Sequence, residues 1–269
     1  MSITLDMELL QEARSAAEVP LEGKPGKRTE NGRRSAFDYI LGEGTPFAVD
    51  EAYKALRTNV IFSLPSDGAK VIAITSSASG EGKSTAILNL AIAFGQIEKK
   101  VLLIDCDLRL PTIAEKLGIK GTPGLSDLLV GRSCPIRQLT DVGICVLPSG
   151  TLPPDATALL SSARMGELLT QARERFDYIF LDLPPVTTVA DAAILAKHVD
   201  GFLLAIKHRG SRYKAISDML ERLALADANV LGYIYTNAEE GGGHYRHYGY
   251  GYGYGHSYER SRSNNHFSV

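Results

Sequence analysis

Residues 71–85, VIAITSSASGEGKST from Val71 to Thr85, decide how the chain is read. Val71 to Ile74 are β-branched apart from Ala73, the pattern of a strand covered on both faces in a parallel sheet. A loop of small residues follows, and Gly80 and Gly82 give it the freedom to bring several backbone N–H groups onto one anion. Lys83 adds a positive charge suited to β- and γ-phosphates, and Ser84 a hydroxyl suited to Mg²⁺. The helix predicted from there through about Gln96 points its positive end at the same phosphates. The stretch therefore reads as a nucleotide site in which Ser79, Gly80, Glu81, Gly82, Lys83, Ser84 and Thr85 are the binding residues. It is a Walker A pattern with one departure, because the first glycine of G-x-x-x-x-G-K-[ST] falls on Ser77.

Further along, Val101 to Ile104 predicts a second buried strand, ending in Asp105-Cys106-Asp107. Two carboxylates at i and i+2 on a strand point to one side, and two like charges so close call for a cation. Tyr178 to Asp182, YIFLD followed by Leu183, Pro184 and Pro185, predicts a third buried strand ending in an acid, the form of a Walker B strand whose carboxylate holds Mg²⁺. Helices are predicted over 50–63, 164–175, 188–198 and 213–224, a helical turn over 125–130, and further strands over 144–147, 202–206 and 230–235. Such alternation predicts crossover units on a parallel sheet, with ligands beyond the carboxyl ends of the strands. Asn237, just past the last strand, is placed to meet the base.

The totals agree with one α/β domain plus tails: 269 residues, 44% of them hydrophobic, with a formal charge of −2. That charge gives no global pull towards nucleic acid. No apolar run reaches the roughly 18 residues of a membrane helix, and Asp6, Glu8 and Glu12 interrupt any signal-peptide pattern, so a cytoplasmic compartment is expected. Cys106, Cys134 and Cys145 form no C-x-x-C pair and predict no disulfide framework. Residues 21–34 hold glycine, proline and five basic residues and predict a mobile linker, for which an acidic membrane surface is one possible contact. In the helix over 50–63, Tyr53, Leu56 and Val60 share one face, and Glu51, Lys54 and Arg57 form a polar stripe suited to solvent or a subunit contact. The last stretch changes character, with Tyr245, Tyr248, Tyr250, Tyr252, Tyr254 and Tyr258 spaced by glycine and polar residues. It cannot bury a core and is expected to be disordered.

Taken together, SSASGEGKST, LLIDCDLRLP, YIFLDLPP and the terminal tyrosine cluster resemble the bacterial tyrosine autokinases (BY-kinases) of the CpsD/CapB type, which serve capsule and exopolysaccharide biosynthesis. The resemblance runs from about Asp50 to the C-terminus. It implies an α/β, P-loop NTPase-like three-layer fold with a mainly parallel sheet, related to the deviant-Walker ATPases, and a disordered Tyr-rich tail. The division becomes an extension and basic linker at 1–45, a P-loop kinase domain at 46–240 and a tail at 241–269. It also implies ATP and Mg²⁺ as cofactors, with Lys83 on the transferring phosphate and Ser84, Asp107 and Asp182 around the metal. Asp105 would orient or deprotonate the incoming phenol, and the six tail tyrosines would receive the phosphate. The implied partners are a membrane-embedded polysaccharide co-polymerase that activates the kinase and recruits it to the inner face of the plasma membrane, a tyrosine phosphatase, and further copies in a ring. The family's ring helix reads E-x-x-R-x-x-R, and here its members are Glu51, Lys54 and Arg57. Partition and division ATPases are the nearest alternative, but they carry a signature lysine where this chain has Ala78. A nucleotide-binding scaffold with a structural tail is the third reading.

Overall fold

The strand that begins the phosphate motif lies inside a sheet whose order follows from which faces its neighbours must cover. In the computed structural model, which describes residues 40–65 and 67–237, seven strands form one sheet in the order β3-β4-β2-β5-β1-β6-β7. They are β1 (Lys70–Ser76), β2 (Val101–Asp105), β3 (Arg137–Leu139), β4 (Ile144–Leu147), β5 (Tyr178–Asp182), β6 (Gly201–Lys207) and β7 (Val230–Thr236). All neighbours pair parallel except β3 and β4. The chain leaves β1 towards β2 on one side and later towards β6 on the other, so β1 sits at the switch point where α/β sheets open a crevice.

Alternation along each strand divides the core in two. Val71, Ala73, Leu102, Ile104, Ile179, Leu181, Phe202 and Leu204 share one apolar layer, while Ile72, Ile74, Leu103, Phe180, Leu203 and Ala205 share the other. On the second side lie α1 (Phe47–Ser63) and α2 (Lys83–Gly95). The first side is covered by α6 (Ala163–Arg173), α7 (Asp191–Leu195) and α8 (Tyr213–Leu225). Three shorter helices complete the description: α3 (Ile113–Lys116), α4 (Leu125–Leu129) and α5 (Ala156–Leu160). Among the described residues no helix is long and apolar enough to cross a membrane.

Several expectations need correction. The predicted helix over 188–198 is only α7 followed by a 3₁₀ turn, Ala196–His198, because Thr188 and Val189 are held in a turn by the Pro185 carbonyl. The antiparallel edge strand β3 was not predicted, since three residues carry no period. The polar stripe is not wholly outward: Arg57 donates to the Ala93 carbonyl at 2.6 Å, near the carboxyl end of α2, while Lys54 bridges Asp50 at 2.7 Å and Glu51 at 2.8 Å. Residues 1–39 and the tail tyrosines, Tyr245 to Tyr258, lie outside the described residues.

One knot fixes the loops beside β4. Burial pushes the Asp127 carboxyl up, but N–H groups of Thr151 and Gly124 outweigh it and hold the group below the usual carboxylate range. At Gly124 an added Cβ would lie 2.2 Å from the Pro148 carbonyl and 2.3 Å from the Gly150 nitrogen, both backbone atoms with little room to move. Gly124→Ala should therefore cost at least about 2 kcal/mol. Thermal or denaturant unfolding checks this, and an unchanged midpoint would show that the knot yields without cost.

Candidate functional site

The carboxyl ends of three adjacent strands, β2, β5 and β1, converge on the loop after β1. Asp105 and Asp182 are register partners at the ends of β2 and β5, and Ile74 of β1 pairs with Asp182 from the other side. The loop turns at Gly80 and Gly82, whose φ angles of 77° and 83° favour glycine. At Gly82 a Cβ would also press on the Thr236 side chain at 3.1 Å. From Ser79 through Thr85, no backbone N–H donates to a protein acceptor among the described residues. Several of these amides open α2, whose dipole reinforces them as an anion cradle.

Lys83 is buried. Its ammonium sits 3.0 Å from Asp107, 3.6 Å from Asp182 and 3.5 Å from the Ser84 hydroxyl. Burial pushes the Lys83 pKa down, yet Asp182 and Asp107 together raise it above the usual lysine value, so the charge is retained. Asp182 is fully buried, and neither oxygen has a partner at good hydrogen-bond geometry; the Lys83 ammonium at 3.6 Å and the Ser84 hydroxyl are its polar neighbours. Burial pushes its pKa up, with Lys83 and then Ser84 pulling it back. A buried carboxylate without well-formed hydrogen bonds is costly unless a cation completes it. That orphaned acid, the adjacent Ser84 hydroxyl and Asp107 suit a hard cation such as Mg²⁺, which takes a few protein oxygens and shares the rest with phosphate and water. Among the described residues no cluster of three or more His, Cys, Asp or Glu is arranged to hold a metal ion.

The two acids expected to share one side of a strand have different surroundings. β2 stops at Asp105, so strand alternation does not extend to Asp107. Asp105 accepts from the backbone N–H of Asp107 and of Ile113, each at 3.2 Å, and is fully buried. Burial, then the Asp182 charge, pushes its pKa to about 8. Asp107 instead meets Lys83 and the Leu110 N–H. Cys106 between them is buried and its thiol is pushed well up by burial, which leaves it inert.

Glu81 does not face outward with the amides; its carboxylate folds back onto Ser77 and Ala78. Asn237 is exposed, and it follows Thr236, whose hydroxyl donates to the Glu81 carbonyl at 2.7 Å. Sequence reading missed the group Arg109–Thr157–Asp191: buried Asp191 accepts from the Thr157 hydroxyl at 2.8 Å, and Arg109 reaches Thr157 at 2.8 Å and Asp191 at 3.4 Å. No local pattern joins positions so far apart; only the basic residue after Asp107 was visible.

The charge arrangement has a pH signature. Carboxyls whose pKa is raised on folding bind more protons folded than unfolded between the two values. Stability therefore falls as pH rises from about 4 towards about 8. Lys83 stays charged across that window and limits the fall. Lys83→Met should cost about 3 kcal/mol near pH 8, and the deficit should shrink towards pH 5 as the acids protonate. The double variant Lys83→Met, Asp182→Asn should recover most of it. Urea midpoints across this range measure the effect, and a pH-independent deficit would contradict the account.

Residues 72–243 match the model of the CobQ/CobB/MinD/ParA nucleotide binding domain. Tyrosine-protein kinase YwqD of Bacillus subtilis is 38% identical over 187 residues, covering 68% of this chain and 79% of YwqD. Tyrosine-protein kinase wzc of Salmonella typhi is 34% identical over 213 residues, 78% of this chain but only 29% of that longer protein. Among solved structures, the kinase domain of the Escherichia coli tyrosine kinase ETK aligns with a TM-score of 0.70 at 26% identity, covering 91% of both chains. With the Walker-type loop, the two acidic strand ends and these likenesses in agreement, the chain belongs to the bacterial tyrosine-protein kinases built on a P-loop nucleotide-binding domain.

Proposed function

We propose that the chain transfers the γ-phosphoryl group of ATP, with Mg²⁺, to tyrosines of its own C-terminal segment, Tyr245, Tyr248, Tyr250, Tyr252, Tyr254 and Tyr258. The observation that carries this reading is the Lys83–Asp107–Asp182 group, with its orphaned carboxylate set beside a row of unpartnered amides. In the reaction the phenol oxygen forms a bond to the γ-phosphorus, the bond from that phosphorus to the ADP oxygen breaks, and the phenol proton passes to a carboxylate. Bound Mg²⁺ would neutralise charge on the phosphate oxygens. Ser84 and Asp182, with Asp107, would hold the metal, and amides of 79–85 would hold the phosphates. Lys83 would bind the transferring group as its charge spreads. Asn237 would meet the base.

A phenol titrates near 10 and needs a nearby base at neutral pH. Asp105 would serve here, as the resemblance implies, while Asp107, whose oxygens meet Lys83 and the Leu110 N–H, would stay with the metal. Asp105 also holds the turn that presents Asp107. The domain boundaries proposed are an extension at 1–45, a kinase domain at 46–240 and an acceptor tail at 241–269. The tail would enter a neighbouring subunit of a ring whose contacts include Glu51 and Lys54. Arg57 would have to exchange its bond to Ala93 to join them. A membrane-embedded polysaccharide co-polymerase as activator, and a phosphatase that resets the tail, complete the proposal.

Changing all six tail tyrosines to Phe should abolish phosphate incorporation into the chain while leaving Mg²⁺–nucleotide binding within about twofold, because the changes lie outside the proposed cradle. Phosphopeptide mass spectrometry and calorimetry check the two halves. Continued incorporation would move the acceptor elsewhere.

A further inference from the structure

The phosphate loop contains a chemical oddity. Glu81 places a negative charge between two glycines in a loop whose task is to bind anions, and Ser77 stands where the motif has glycine. The structure makes these two departures one feature. Glu81 is buried, with 4% of its surface exposed, and its carboxylate accepts from three neutral donors. Ser77 Oγ lies 3.0 Å from both oxygens, the Ala78 N–H donates at 2.8 Å, and the Ser211 hydroxyl closes the set. Ser211 lies in the connection between β6 and α8 and also accepts from the Lys207 N–H at 2.9 Å. The backbone of the same loop is held by two more hydroxyls: Thr187, after β5, donates to the Ser77 carbonyl, and Thr236, ending β7, donates to the Glu81 carbonyl. The loop is thus tied to the carboxyl ends of three other strands, and Glu81 is the carboxylate on which its hydroxyl and amide donors converge.

Resting on the nucleotide-binding reading of the loop, we infer that Glu81 is a positioning residue. Its carboxylate draws Ser77 and Ala78 inward and ties them through Ser211 to the β6–α8 connection. The amides that follow are thereby held open for phosphate before any nucleotide arrives. Two arguments support this. A carboxylate turned outward here would repel the ligand, whereas one spread over three donors inside the loop is screened by them. A loop already ordered in its bound shape also loses less freedom on binding, so affinity depends on the tie without any contact between the Glu81 carboxylate and the nucleotide.

The test uses the full chain and four proteins: the parent, Glu81→Ala, Glu81→Gln and Ser211→Ala. Amide exchange without nucleotide should show the Ala78 N–H opening at least about tenfold faster in Glu81→Ala, which lacks its acceptor. Calorimetry with Mg²⁺–ADP should show binding weakened at least about tenfold in Glu81→Ala. Glu81→Gln, which keeps an acceptor oxygen, should stay within about threefold of the parent, and Ser211→Ala should fall between. In kinase assays Glu81→Ala should raise KM for ATP and leave kcat nearly unchanged; a variant that merely misfolds would lower the active fraction instead. Equal damage from Gln and Ala, a silent Ser211→Ala, or parent-like binding by Glu81→Ala would each overturn the inference. If Glu81→Ala does not fold, Glu81→Gln and Ser211→Ala still decide it. The exchange and binding measurements need no tyrosine phosphorylation, so a failure of the kinase reading leaves them interpretable.

Discussion

A single ammonium among buried carboxylates is the constraint on which the rest of this structure depends. Lys83 lies within 4 Å of Asp107 and Asp182, and Asp105 adds its charge from the end of the neighbouring strand. Without the lysine, burying these acids would drive proton uptake or open the strand ends. With it, the Asp182 oxygens still lack a well-formed hydrogen bond, an arrangement that a phosphate-bound cation is suited to complete. The sheet order serves this arrangement directly, because β2, β5 and β1 must be adjacent for their carboxyl ends to share one cation.

The same arrangement explains why the loop is so heavily tied. A lysine can balance buried acids only if its backbone is fixed, and the first residues of α2 are fixed by a loop with two left-handed glycines and a folded-back glutamate. Hydroxyl groups from Thr187, Ser211 and Thr236 fasten that loop to segments that enter the sheet much later in the chain.

Much of this was legible in the sequence. Val71 to Ile74, Val101 to Ile104 and Tyr178 to Leu181 announced buried strands because parallel sheets require apolar residues on both faces. The glycines and Lys83 announced the cradle because few other residues permit it. What remained hidden were contacts between distant positions. Nothing local shows that Arg57 would bond to Ala93, that Asp191 would anchor Arg109, or that Glu81 would turn inward to meet a serine 130 positions away. The same limit made Asp105 and Asp107 read as sharing one side of a strand that in fact stops at Asp105. Burial is set by the neighbouring strand, and only the sheet order reveals which strand that is.

The most direct test of the central claim is the fate of the γ-phosphate. Purified, dephosphorylated full-length chain at high concentration is given ATP and Mg²⁺, and ADP, free phosphate and phosphotyrosine are quantified together. The account predicts that, until the acceptors are filled, ADP and phosphotyrosine rise in step on peptides spanning Tyr245 to Tyr258, with little free phosphate. ADP rising with free phosphate and no phosphotyrosine would contradict it and identify the Lys83 site as that of a hydrolysing ATPase.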